Sequence, residues 1–259
     1  MKNPTRSNPA LITLTAKKTL NSLYNDYKSF VNTPDLPTPE IKFYDILKTR
    51  DGAKAYVQVP KSPVEKCVLN ADITALTYNR ERIRPLYFHE FTHIWDHFSL
   101  LNEISDCKIK NSLLFYYSEF HATIVEMQAA TGQEKYSQIN KLSLTSQIAL
   151  DFQDSTIADY LQSSHDAIKK RISLTPQQYN GKELWDLKRF FSYYIGRKYF
   201  AHHYIVENSD QYFDTNVFTE IFGQEIIDIS EILMENAPTL KKMTQIQILD
   251  FKIIKRLLK

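Results

Sequence analysis

The sequence predicts an α+β protein that is mostly helical and carries a small antiparallel sheet. The chain has only five glycines in 259 residues, which indicates few turns that depend on glycine. Apolar residues recur at helical spacing over most of its length. Three short segments between residues 41 and 70 have the composition of strands. A hydrophobic content of 43% also allows a substantial core.

Residues 1–40 are expected to form one helix and a connector. Apolar and aromatic residues at spacings of three and four predict an amphipathic helix over about residues 12–31. Pro34, Pro37 and Pro39 follow it closely, and such a density of proline predicts an irregular connector rather than a further helix.

The core that contains the candidate site is expected over residues 41–130. Strands are predicted over residues 41–47, 55–59 and 66–70, and Asp51-Gly52 predicts a hairpin between the first two. A helix is predicted over about residues 83–99, with Pro85 in its first turn and with Phe91, Ile94 and Phe98 packed into the core. A second helix is predicted over about residues 111–130.

Residues 131–259 are expected to form a helical C-terminal lobe that completes a cleft. From residue 139 onward the pattern is almost wholly helical, with breaks near residues 175–176, 180–181 and 236–238. The sequence shows no internal repeat.

Composition argues against several classes of protein. The net charge is +2 and both signs are interspersed, which disfavours a dedicated nucleic-acid or membrane-surface protein. No stretch approaches the roughly 18 apolar residues of a membrane span, and the first apolar stretch is short for a secretory signal. Cys67 and Cys107 do not form a disulfide framework. We therefore expect a soluble, cytoplasmic protein without a membrane partner.

The residues that carry chemistry are His89-Glu90-Phe91-Thr92-His93, which read H-E-x-x-H. On a helix, residues four apart lie on one face, so His89 and His93 can present two imidazoles to one ion. Glu90 lies beside them and can reach a water bound to that ion. This is the pattern of zinc metallopeptidases, in which the two His bind Zn²⁺ and the Glu is the general base.

A catalytic zinc usually takes a third protein ligand, and the next helix supplies the candidates. His97 lies about 8–9 Å along its helix from the level of an ion held by His89 and His93, so it is poorly placed to bind. Glu119 and Glu126 share a face but are about 10 Å apart, so only one can bind the ion. Glu119 is our choice and Glu126 stays the alternative, while His121 points to the opposite side.

With these residues the chain resembles a gluzincin, a zinc peptidase in which a Glu from a following helix joins the two His of H-E-x-x-H. In many gluzincins that Glu stands in E-x-x-A-D, to which Glu119-Phe120-His121-Ala122-Thr123 is similar. Thr123 replaces the aspartate that usually braces a His ligand, and Asp96 or Glu126 is expected to take over that role. The resemblance implies a zincin-like core.

The upstream residues also resemble those of the compact ImmA/IrrE-like peptidases. Val68-Leu69-Asn70 and then Asn79-Arg80-Glu81-Arg82 precede the motif, in a similar order of strand and metal-binding helix. Such relatives are typically cytoplasmic, come from bacteria or mobile elements, and cleave regulatory proteins such as repressors. The resemblance therefore implies a protein or peptide substrate, with a regulatory protein among the candidates.

The expected reaction is zinc-dependent hydrolysis of peptide bonds, with Glu90 as general base. A donor for the developing oxyanion is expected from the C-terminal lobe. Candidates lie in the aromatic-rich residues 190–204, and His202 is our choice. The other candidates there are Tyr194, Tyr199, His203 and Tyr204. His165 is an isolated further candidate. The alternatives are a zinc-binding pseudoenzyme, or a helical interaction module, that binds a regulatory partner.

Overall fold

The computed structural model describes residues 9–44, 54–77, 79–150, 153–173 and 181–257. Its helices and strands are α1 (Pro9–Phe30), β1 (Glu40–Tyr44), β2 (Ala55–Gln58), β3 (Val68–Asp72), α2 (Arg80–Ser99), α3 (Cys107–Ala130), β4 (Gln147–Leu150), β5 (Gln153–Thr156), α4 (Ile157–Ser173), α5 (Gly181–Tyr204), α6 (Thr219–Phe222), α7 (Glu225–Met234) and α8 (Leu240–Leu257). The predicted α+β class with a predominance of helix is confirmed. Within these residues no helix combines the length and apolar character needed to cross a membrane.

The first sheet has three strands in the order β1-β3-β2, and it is mixed rather than antiparallel. β3 pairs in parallel with β1 and in antiparallel fashion with β2. The predicted hairpin between the first two strands is therefore wrong, although all three strand positions are confirmed. β3 takes the central position because it is the most buried strand, from Leu69 to Asp72. The Asp51-Gly52 turn lies outside the described residues.

β2 is an edge strand, and one of its two edges faces away from the sheet. The carbonyl of Lys54 accepts a bond from the Asp72 amide of β3 (2.9 Å). Val57 lies three residues later, and its amide donates instead to Glu90 Oε2 on α2 (2.8 Å). Successive backbone amides of a strand point to opposite edges, so part of the β2 backbone faces α2, the helix that carries H-E-x-x-H.

α2 begins at Arg80, where the Asn79 side chain accepts a bond from the Glu81 amide. This start is earlier than predicted, so Pro85 lies in the second turn of the helix rather than in the first. The back face of α2 is fully buried at Phe91 and Ile94, as predicted. Phe98 is 40% exposed, so its predicted burial is wrong. Tyr24 of α1 covers this face, with its ring 4.8 Å from that of Phe91.

α3 lies antiparallel beside α2 and contributes residues to two hydrophobic cores. Its start is capped by Asp106, whose side chain accepts bonds from the Lys108 and Ile109 amides. Phe120 of α3 belongs to the core formed with α5, α7 and α8. Val125 belongs to the core formed with α1, the first sheet and α2. The predicted division at residue 130 thus separates regions that both pack on α3.

The C-terminal region is mostly helical, as predicted, but contains a strand pair that the helical pattern concealed. β4 and β5 form a two-stranded antiparallel sheet. Ile148 and Leu150 alternate with less buried neighbours, and this short alternation was the available signal. A third core lies here, where Ile148 packs in one cluster with Phe200 of α5.

A buried ion pair fixes α8 against α5 and α3. Lys188 Nζ of α5 lies 2.6 Å from Asp250 Oδ1 of α8, and both side chains are less than a tenth exposed. The Tyr116 hydroxyl of α3 donates to the same oxygen (2.7 Å). The interaction satisfies charges that would be costly to bury alone. It holds the first half of α5, from which the candidate site receives further residues.

α5 approaches α3 closely at Gly196. A Cβ built on Gly196 would lie 2.7 Å from the Phe120 carbonyl oxygen and 2.8 Å from Thr123 Cβ. Only a residue without a side chain fits such a contact. Thr123, which stands where the gluzincin pattern has aspartate, therefore serves in helix packing, and its hydroxyl donates to the Glu119 carbonyl within α3 (2.9 Å).

We predict that Gly196→Ala lowers the free energy of unfolding by about 1–3 kcal/mol, because the added methyl group overpacks the contact between α3 and α5. Chemical denaturation measures this difference. Gly181→Ala is the matched control, since a Cβ there meets nothing within 4 Å. An equal effect of the two substitutions would contradict the close approach.

Candidate metal centre

Three side chains from α2 and α3 converge on one point. Glu119 Oε2 lies 3.6 Å from His89 Nε2 and 3.6 Å from His93 Nε2. The three ligand atoms lie within 4.8 Å of one another and could hold a metal ion. Ligand atoms about 2.0–2.1 Å from a tetrahedral zinc are separated by about 3.3 Å, so the two carboxylate–imidazole distances would need only a small contraction. The structure thus brings together the predicted His89, His93 and Glu119.

The other nitrogen of each imidazole is held by a neighbour on α3. His89 Nδ1 lies 3.2 Å from Glu126 Oε2, and His93 Nδ1 lies 2.8 Å from Ser118 Oγ. Such partners fix the ring orientation and leave Nε2 for a metal. Of the two predicted braces, Glu126 does occupy this position. Asp96 does not, because its Oδ1 pairs with His121 Nδ1 (2.7 Å).

One oxygen of the Glu119 carboxylate, Oε2, is buried without a hydrogen bond. The other oxygen, Oε1, forms an ion pair with Arg189 Nε of α5 (3.1 Å). A buried carboxylate oxygen is costly to leave unsatisfied. Together with two imidazole nitrogens, this oxygen completes a donor set that suits zinc.

The ionisable groups of the triad and their neighbours shift one another's pKa values. Burial by itself would lower the pKa of His89, but the Glu119 and Glu126 carboxylates outweigh it and raise that pKa to about 10. Burial lowers the pKa of His93 to about 4. Burial opposes ionisation of Glu119, but His93, His89 and Arg189 hold its pKa at about 2. The carboxylate is therefore ionised and is compensated by the groups around it.

Glu90 belongs to the same site but not to the triad. It lines one cavity with His93 and Glu119, and its carboxylate is held by the Val57 amide of β2. Burial, the largest influence, raises the pKa of Glu90 to about 7. A carboxyl group with a pKa near neutrality suits proton transfer at physiological pH.

A cavity of about 560 Å³ opens beside these residues. Its walls come from β2, α2, α3 and the first half of α5. α5 contributes Lys182, Trp185, Asp186 and Arg189, which lie on one helical face. The cavity is therefore formed between α2 and α3 on one side and the C-terminal region on the other.

A donor for the oxyanion was predicted on α5, but the α5 residues that contact the triad do not include His202, which was our choice. Arg189 contacts Glu119, and the Tyr193 ring lies 5.6 Å from that of His89. Arg189 also donates to the Tyr193 hydroxyl. These two residues are four apart on one face of α5, a spacing that could have drawn attention to them.

His202 lies elsewhere on α5. Its Nε2 contacts Asp210 Oδ1 (2.8 Å) in an exposed position, and it is not among the residues that line the cavity. His202 lies too far along α5 to reach the triad, because the helix passes the triad at residues 189–193. His165 is not among the residues that line the cavity either, and its Nδ1 lies 3.3 Å from the Tyr194 hydroxyl.

The remaining histidines of the two motif helices bind other partners. His97 lines the cavity and pairs with Asn111 (2.8 Å), in agreement with its exclusion as a metal ligand. His121 lies between Asp96 and the Tyr136 hydroxyl, on the side of α3 away from Glu119. Neither belongs to the group that could hold a metal.

A scan against protein-family models gave no match, and searches of curated proteins and of solved structures gave none either. The functional assignment therefore rests on the geometry and chemistry of the site.

We predict that the purified protein binds one zinc ion per chain and that Glu119→Ala removes most of this affinity, because one of three ligands is lost. Glu126→Ala should weaken binding about tenfold to hundredfold, since it releases the His89 ring. Competition with a chromogenic chelator measures both values. Glu220→Ala, at an exposed position on α6, is the control. Unchanged zinc affinity in Glu119→Ala would contradict the triad.

Proposed function

We propose that the protein is a zinc-dependent peptidase of the gluzincin type, with a zincin-like core formed by the first sheet, α2 and α3. The observation that carries the proposal is a triad of two imidazoles and one carboxylate that adjoins a cavity, with Glu90 beside it. Catalytic zinc sites use three protein ligands and keep one position open, whereas structural sites are closed by four.

Bound zinc would lower the pKa of a water toward neutrality and polarise a substrate carbonyl. Glu90 is the base that accepts the proton of the attacking water at a carboxylate oxygen and passes it to the leaving amine nitrogen. The Val57 amide holds Glu90 Oε2 and so orients the carboxylate from the side of β2. Glu126 and Ser118 keep the two imidazoles oriented.

Arg189 is the group that we assign to stabilise negative charge on the carbonyl oxygen. It lines the cavity, and one of its edges contacts Glu119. A guanidinium has five donors in a fixed plane, so it can hold a ligand carboxylate and still offer donors to a substrate. Tyr193 accepts a bond from Arg189, and its high pKa, caused by burial, keeps its hydroxyl protonated. The expected donor from the C-terminal region is thus Arg189, supported by Tyr193.

The substrate class is a protein or peptide in extended conformation. β2 lines the cavity as an edge strand, and part of its backbone turns away from β3. An extended peptide can pair with such an edge and thereby pass across the triad. A regulatory protein, as implied by the similarity to ImmA/IrrE-like peptidases, is the candidate substrate that we favour.

We predict that Glu90→Gln lowers the rate of peptide hydrolysis by a factor on the order of 10²–10⁴, because the base is lost, while zinc stays bound. Hydrolysis is measured as new amino termini released from a mixture of unstructured peptides, and zinc by elemental analysis. Glu103→Gln, outside the cavity lining, is the control.

Two results would contradict the proposed activity. Hydrolysis that continues unchanged in Glu90→Gln would show that another group is the base or that the activity is a contaminant. Zinc binding without hydrolysis by the wild-type protein would instead favour a pseudoenzyme that binds a partner.

A further inference from the structure

The cavity extends beyond the triad along α2 and α3, and this second part has its own chemistry. We call it the distal arm and define it by Val59, His97, Asn111, Leu114, Phe115 and Trp185, all of which line the cavity. His97 is one helical turn beyond His93, and Asn111 is two turns before Ser118 on the antiparallel α3. The proposed peptidase mechanism uses none of these six residues.

A chain of hydrogen bonds fixes the His97 ring. The Asn111 side-chain nitrogen donates to the Pro60 carbonyl (2.8 Å), which sets the orientation of the amide. Its oxygen therefore faces His97 Nδ1 at 2.8 Å, and this nitrogen must carry the proton. His97 Nε2 is left with a lone pair and has no hydrogen-bond partner among the described residues.

The environment keeps the His97 ring neutral. His97 is 5% exposed. Burial is the main influence that lowers its pKa; the hydrogen bond with Asn111 opposes this effect, and nearby Lys110 adds to it. A neutral ring with its proton on Nδ1 presents Nε2 as a hydrogen-bond acceptor. The distal arm thus contains an acceptor whose protonation state is set by its surroundings.

The other walls of the distal arm are mainly apolar and aromatic. Leu114 is buried at 4% exposure. The Phe115 and Trp185 rings lie 5.6 Å apart and are tilted by 43°. Arg189 stacks over Trp185, with its guanidinium carbon 4.7 Å from the ring centroid. Such walls favour a flat apolar group rather than a charged one.

The distance between the metal site and His97 limits which substrate side chains can reach the end of the distal arm. An ion held by His89 and His93 lies about 8–9 Å along α2 from the level of His97, at about 1.5 Å per residue. This span suits an aromatic side chain whose backbone lies at the triad. An aliphatic side chain such as that of valine is too short to reach His97.

We propose that the distal arm is a side-chain subsite that takes a phenol, so that the peptidase prefers tyrosine beside the bond it cleaves. The phenol ring packs against Leu114, Phe115 and Trp185, and its hydroxyl donates to His97 Nε2. This inference rests on the proposed function, because the triad must hold the substrate backbone for the side chain to reach His97.

Three hydroxamic acids test the subsite on the zinc-loaded wild-type protein. Each chelates zinc and carries one ring at the end of a two-carbon chain: 3-(4-hydroxyphenyl)propanohydroxamic acid, its phenyl analogue and its 4-methoxyphenyl analogue. We expect the hydroxyphenyl compound to bind about threefold to tenfold more tightly than the phenyl compound, the usual gain from one hydrogen bond. The methoxyphenyl compound cannot donate and should show no gain. Isothermal titration calorimetry measures the three affinities.

His97→Phe removes the acceptor and keeps a flat ring, so the hydroxyphenyl and phenyl compounds should then bind about equally. His203→Phe, an exposed α5 histidine stacked on Tyr199, is the matched control and should keep the wild-type preference. The wild-type comparison stands by itself if His97→Phe does not fold.

Equal binding of the hydroxyphenyl and phenyl compounds by the wild-type protein would overturn the subsite. A preference that persists in folded His97→Phe would overturn the role of His97. Zinc content is measured before each titration, and this separates the two proposals. A protein that retains no zinc loses the proposed function and the subsite together, whereas zinc retained without a preference rejects the subsite alone.

Discussion

The buried Glu119 carboxylate imposes the constraint on which the arrangement of the site depends. α2 and α3 pack side by side, and this packing brings one carboxylate oxygen between two imidazole nitrogens. That oxygen has no hydrogen-bond partner, and burial of such an atom destabilises a protein unless another group compensates it. A cation bound by the three side chains would provide this compensation. The charge of Glu119 is already balanced by His89, His93 and Arg189, so a cation would act mainly on the oxygen that lacks a hydrogen bond.

α5 completes the site because it is fixed at two points along its length. Gly196 allows close contact with α3, and the buried Lys188–Asp250 ion pair holds the preceding turns against α8. Between these points lie Arg189 and Tyr193, which face the triad. The C-terminal region thus positions two side chains beside the ligands, although it lies far from the motif in sequence.

The sequence was most informative where chemistry is encoded locally. Positions 89, 90 and 93 follow from the spacing of H-E-x-x-H on a helix, and Glu119 was chosen from the next helix with Glu126 as the alternative. Ser118 and Arg189 did not follow, because their roles depend on how α2, α3 and α5 pack together. The same reason explains the choice of His202, since the sequence of a helix indicates its faces but not the level at which it passes another element.

The sheet shows a similar limit of sequence interpretation. Strand positions were predicted because strand composition is local. Strand order was not, because the Asp51-Gly52 pair favours a hairpin while the burial of β3 places it between the other two strands. A turn signal specifies a local bend, and burial in the core determines which strands become neighbours.

The position of bound zinc tests the account most directly. Crystals of the zinc-loaded protein, measured at the zinc absorption edge, should give one anomalous peak bonded to His89 Nε2, His93 Nε2 and Glu119 Oε2, at about 2.0–2.2 Å from each atom. Arg189 should remain paired with the other Glu119 oxygen. A peak with other ligands, or no peak at the triad in zinc-saturated crystals, would contradict the proposed metal centre.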